Sequence, residues 1–79
     1  MKVCEAVAER IENLLRERSI AREEFGWKSG LPYDELTRIL ARRPVRITCR
    51  IVFQIARALH MSGSEFLDSP LFDTENLEK

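Results

Sequence analysis

The segment REEFGWKSGLPYDELTRILARR, residues 22–43, decides the reading of the fold. It reads as two short helices around a tight turn. Phe25 and Gly26 lie on the first helix, Gly30 makes the turn, and Leu36, Ile39 and Leu40 mark the buried face of the second. The small residue at 26 is expected to let the second helix pack closely across the first. Gly30 can take a positive φ at no steric cost. The second helix is expected to start at Pro32 or Tyr33 and to run for about ten residues, since a proline's missing N–H costs nothing in a first turn. Asp34 and Glu35 then sit at the positive end of its dipole.

Towards the N-terminus, Val3, Val7, Ile11, Leu14 and Leu15 recur at helical spacing and predict an amphipathic helix over residues 3–18. Glu12 and Arg16 stand four apart, a favourable pair worth roughly 0.2–0.5 kcal/mol. Ser19 reads as the N-cap of the next helix, residues 20–28. Towards the C-terminus, residues 42–46 form a basic connector and Thr48 caps a fourth helix, residues 49–59. That helix carries two apolar stripes side by side: Cys49, Val52, Phe53, Ala56 and Leu59, then Ile51, Ile55 and Ala58. A helix apolar around most of its circumference is central or part of an interface. Ser62 and Glu65 make a capping box that opens a short fifth helix with Phe66 and Leu67, and Ser69-Pro70 ends it. No strand pattern occurs. The expected class is all-α, a compact five-helix domain over residues 1–69 with an acidic tail, residues 70–79, that carries Leu71, Phe72 and Leu77.

The chain has 79 residues and a formal net charge of zero. Its charge is unevenly placed. Between Leu36 and Ser64 there is no acid and there are six arginines: 38, 42, 43, 46, 50 and 57. Residues 1–35 carry six basic and eight acidic side chains, and residues 65–79 carry one basic and five acidic. A basic middle between acidic ends is a local electrostatic footprint that the zero total hides. Two helices joined by a tight turn present the second outward, where it fits a DNA major groove. The two cysteines, Cys4 and Cys49, form no CxxC pair and have no neighbouring His, so they read as small buried or half-buried thiols and no metal or cofactor is expected. No apolar run approaches the ~18 residues of a membrane span, and the N-terminus meets charge too early for a signal peptide. A cytoplasmic location is expected. His60, the only histidine, reads as a helix-end residue, and with no nucleophile or acid partnered to it no enzyme is expected.

These pieces, in this order, resemble the lambda-repressor-like (Cro, XRE) DNA-binding domains over about residues 8–68. AERIENLLRERSI is similar to the family's first helix and its lead-in. REEFGWKSGL follows with the small residue and turn glycine where the family places them. PYDELTRIL stands where the family has its recognition helix, and ITCRIVFQIARALHMSGSEFLD matches its two closing capped helices. RIL, a basic loop and IT also resemble the HigA-type antitoxin branch. The sequence departs from the family at Pro32, where a Ser cap is usual, and near Arg42, where a loop glycine is usual. His60 likewise replaces a helix-ending glycine.

The resemblance implies a DNA-binding transcriptional regulator, a repressor by the commonest use of the fold, acting as a homodimer on duplex DNA. Its base-contacting positions would be Tyr33, Asp34, Thr37 and Arg38. Arg38 has two compatible readings: a bidentate contact to guanine, worth ~1–3 kcal/mol of discrimination, and an ion pair with Asp34 one turn earlier. Asp34 can accept from cytosine N4 or serve the helix start. Thr37 can touch a thymine methyl or be plainly exposed, and Tyr33 can pack on a sugar or cover the helix start. Arg22, Arg42, Arg43 and Arg46 are the expected phosphate contacts, which position a protein on the duplex. Met61, Phe66, Leu67, Leu71 and Phe72 are the expected dimer contacts, with the spare face of the fourth helix. Trp27 either covers the core edge or anchors a partner protein. The rival functions are therefore a protein-interaction module and an antitoxin-like autoregulator. RNA binding lacks a stacking sheet or GXXG loop.

Overall fold

Val7, Ile11 and Leu14 recur at spacings of four and three, so a helix built through them presents one apolar face. In the computed structural model, which describes residues 2–73, 75 and 77, that helix is α1, Val3–Arg18. It is followed by α2 (Arg22–Ser29), α3 (Tyr33–Leu40), α4 (Cys49–Ala58) and α5 (Gly63–Leu67), then a 3-10 turn, Pro70–Phe72. There is no strand among the described residues. The helix α4 is the hub: α2 and α5 pack on it, while α1 packs on α3 and on the 3-10 turn. Every helix sends at least one side chain to a single core, where Val7, Ile11, Phe25, Ile39, Ile55, Leu59 and Phe66 are fully buried.

The helix ends follow from local chemistry. The Thr48 hydroxyl accepts from the Ile51 N–H at 3.3 Å and starts α4. The Ser62 hydroxyl accepts from the Glu65 N–H, and the Ser62 N–H donates to the Glu65 carboxylate, both at 3.1 Å. Gly30 closes α2 with φ 69°. Ser19 has a different job from the expected one: it closes α1 at φ 54°, and Ala21 precedes α2. The left-handed turn at Ser19 lets the Ile20 N–H bond the Leu15 carbonyl at 2.9 Å and brings Ile20 onto the core. Arg42 (φ 60°) and His60 (φ 59°) turn the chain after α3 and α4 in the same left-handed way. Such a residue without glycine's freedom costs roughly 1–2 kcal/mol. The turn at Arg42 is why α3 has eight residues rather than ten.

Two arginines on α1 hold the far helix ends. Arg18 Nη1 donates to the Leu59 carbonyl at 2.7 Å. Arg10 donates to the Phe66 carbonyl through Nε at 2.9 Å and to the Glu65 carbonyl through Nη2 at 3.0 Å. Cations there satisfy orphan carbonyls and complement the helix dipole. The expected Glu12–Arg16 pair does not form; Arg16 Nη2 donates to Asn13 Oδ1 at 2.6 Å instead.

Burial divides the expected dimer set and removes Phe66 from it. Phe66 is fully buried, with its ring centroid 5.8 Å from that of Phe72, and Met61 and Phe72 are half-buried against the core. Phe66 is therefore a core residue with no surface to offer a partner. Of the five, only Leu67 is exposed, while Leu71 is half-buried. The 3-10 turn packs on α1, so the packed body runs on to Phe72. The tail residues 74, 76, 78 and 79 lie outside the described residues. Among the described residues, no helix is long and apolar enough to cross a membrane.

Candidate nucleic-acid interface

Ile39 is the buried anchor of α3, and Leu36 and Leu40 flank it, half-buried. Helical geometry then turns Tyr33, Asp34, Thr37 and Arg38 to the opposite side, and all four are exposed. The four residues expected to meet bases thus share one open face. Tyr33 is 81% exposed, so it does not cover the helix start. Asp34 and Arg38 form no ion pair, which leaves the Arg38 guanidinium without a partner among the described residues.

The loop after α3 sorts the expected phosphate contacts into two kinds. The Arg43 N–H donates to the Arg38 carbonyl at 3.0 Å, so Arg43 stays beside Arg38. Arg38, Arg43 and Pro44 line one shallow surface depression. Arg43 and Arg46 are exposed and make no side-chain bond among the described residues. Arg42 is turned the other way, onto α1. Its Nη1 donates to the Glu5 carbonyl at 3.1 Å and its Nη2 to Glu12 Oε2 at 3.2 Å. Glu12 Oε1 also lies 3.6 Å from Arg22 Nη2. Although its own stretch of sequence holds no acid, Arg42 is therefore paired with a carboxylate thirty residues earlier. Arg22 opens α2, where backbone N–H groups are free of helical partners.

A cleft of about 600 Å³ separates α2 from α3 on this side. Gly26, Trp27, Leu31, Tyr33, Leu36, Thr37 and Leu40 line it, with Arg22 and Glu23 also on its walls. Trp27 is 84% exposed, which removes the reading in which it covers the core edge. Gly26 is not needed for close packing: a Cβ built there meets only Leu36 Cδ2, at an ordinary 3.5 Å. Beyond that point α2 rests on α4 and α3 on α1.

Two residues escaped the sequence reading. Glu12 had its partner assigned four residues away, and no local signal points to residues 22 and 42. Phe53, on an apolar stripe of α4, is 62% exposed. Cys49 one turn earlier is also exposed, against the expectation of a buried or half-buried thiol, while Cys4 is buried. Among the described residues, no group of three His, Cys, Asp or Glu side chains lies together to hold a metal ion. No protein-family model, curated protein or solved structure matches this chain.

Proposed function

We propose that this protein is a helix-turn-helix regulator of the lambda-repressor-like kind, a repressor that binds duplex DNA as a homodimer with α3 in the major groove. The observation that carries the reading is the pair Arg38 and Arg43. Both lie on the exposed end of α3 and its loop, in an acid-free stretch, with guanidinium groups unpaired among the described residues. Unpaired cations beside an exposed helix face suit a polyanion whose bases lie within reach of that helix. Arg38 reads bases together with Thr37, Tyr33 and Asp34. Arg43 and Arg46 hold phosphates, and Arg22 does so from the start of α2. Arg42 acts as a strap to α1 and contributes charge without a free fork. The role needs no cofactor and no catalysis, and its setting is the cytoplasm.

A second reading is favoured by Trp27 and Tyr33, which stand exposed around an apolar cleft. Such aromatic groups are typical anchors of protein interfaces. An antitoxin-like autoregulator would use both surfaces.

The test is a selection from a random duplex library at near-physiological salt. An enriched palindrome with half-sites about ten base pairs apart supports the dimeric regulator. A folded protein that enriches no sequence overturns it and leaves the Trp27 surface as the functional one.

A further inference from the structure

The exposed face of α4 is not uniform. Cys49 and Phe53 are one turn apart and lie on the side nearest α5. Arg50 and Arg57 lie on the side away from α5, because Val52, on the opposite side of Phe53, faces Gly63. The Phe53 ring rests against the start of α5. A Cβ on Gly63 would stand 2.7 Å from Phe53 Cε1 and 2.9 Å from Cδ1, so a side chain there would push the ring away. Leu67, one turn after Gly63, is 45% exposed. Ser64 follows it around α5, away from the buried Phe66, Asp68 caps the C-terminal end of α5 beside Leu67, and both are exposed. Read across both helices, the surface runs from arginine, through Phe53 and Leu67, to aspartate.

That order is complementary to itself. A two-fold rotation about the seam between Phe53 and Gly63 lays α4 of one copy along α5 of the other. Phe53 then meets Leu67 of the second copy, and the basic margin meets the acidic margin twice. The side chains of Arg50, Arg57 and Asp68 make no hydrogen bond or ion pair among the described residues, so no described group competes for them. We propose that this strip is the face through which two copies of the chain associate, with Phe53 as its anchor. The inference rests on the homodimer reading above and names its surface. A duplex is not the occupant, since an apolar ring between an arginine and an aspartate offers phosphate no consistent attraction.

Sedimentation of the full chain without DNA tests it, using the wild type, Phe53→Glu, Arg57→Glu, Asp68→Lys and the double variant Arg57→Glu/Asp68→Lys. Circular dichroism of each variant confirms folding. The expected result is a wild-type dimer, a folded monomer for Phe53→Glu, and about tenfold weaker association for each charge reversal. The double variant restores association, because swapping both margins recreates the match; a variant that merely unfolds cannot be rescued in this way. A dimer that ignores Phe53→Glu, or a double variant weaker than both singles, overturns the strip and leaves the homodimer standing. A wild type that is monomeric at tens of micromolar overturns both.

Discussion

The Arg42 guanidinium, just beyond the C-terminus of α3, donates to the carboxylate of Glu12 in the middle of α1, with Nη2 and Oε2 3.2 Å apart. The same carboxylate stands 3.6 Å from Arg22 at the start of α2. One acid on α1 thus ties together the two ends of the α2–α3 unit. It also sets a negative charge between two cations expected to help bind phosphate.

Glu12→Gln separates those two effects. The amide oxygen still accepts from Arg42, so the strap persists while the charge goes. A carboxylate about 7 Å from a phosphate costs roughly 0.6 kcal/mol in water. With one Glu12 in each protomer of the dimer, duplex affinity at low salt is therefore expected to rise about sevenfold, measured by fluorescence anisotropy. Glu12→Ala also removes the hydrogen bond and is expected to lower unfolding stability by about 0.5–1 kcal/mol, the modest scale of half-exposed pairs.

Arg43→Ala and Arg38→Ala are expected to differ in kind. Loss of one phosphate contact per protomer, two per dimer, weakens binding to all duplexes alike and reduces the salt slope by about 1.8. Loss of Arg38 relaxes preference at one position per half-site, at ~1–3 kcal/mol. Titrations on matched and scrambled duplexes across a salt series check both.

The two glycines of this unit are expected to respond in opposite directions. Gly26→Ala finds room beside Leu36 and gains helix propensity, so it should stabilise by about 0.5–1 kcal/mol. Gly30→Ala has room too, but φ 69° strains any Cβ-bearing residue and should cost about 1–2 kcal/mol. Urea unfolding curves give both values.

Phe66→Ala is expected to act on folding and not selectively on association. A fully buried phenylalanine against Phe72 is worth about 3–5 kcal/mol on truncation, a large share of a domain of this size. Thermal unfolding should show the loss directly, with far-UV helicity falling at temperatures the wild type tolerates.

Trp27 supplies its own probe, being the only tryptophan. Its emission should be that of a water-exposed indole and should be quenched freely by iodide. Trp27→Ala should change stability by less than about 0.5 kcal/mol. A blue shift on adding a partner would place that partner at the cleft.

The helices, their order and most of their caps were legible in the sequence. They depend on interactions within about four residues: the spacing of Val7, Ile11 and Leu14, the hydroxyls of Thr48 and Ser62, and the freedom of Gly30. Ser19 shows the limit even there, since a serine between two helices can close one or open the next. The choice depended on Ile20 reaching the core. The exposed face of α3 was equally legible, because Ile39 fixes which side is buried and helical geometry places Tyr33, Asp34, Thr37 and Arg38 on the other.

Contacts between distant segments were not legible. Six arginines in an acid-free stretch look alike in sequence. Only the packing of α3 on α1 brings Glu12 to Arg42 and leaves Arg38 and Arg43 without an acid among the described residues. Phe53 was indistinguishable from its buried neighbours, because apolarity says that a side chain avoids water, not whether a neighbouring helix covers it. The helix α4 is covered by α2 and α5 on two sides and by no described element on the third. Local chemistry therefore determines where each helix starts, stops and turns its apolar face. Which charges are neutralised and which apolar rings stay exposed is decided by how the helices meet.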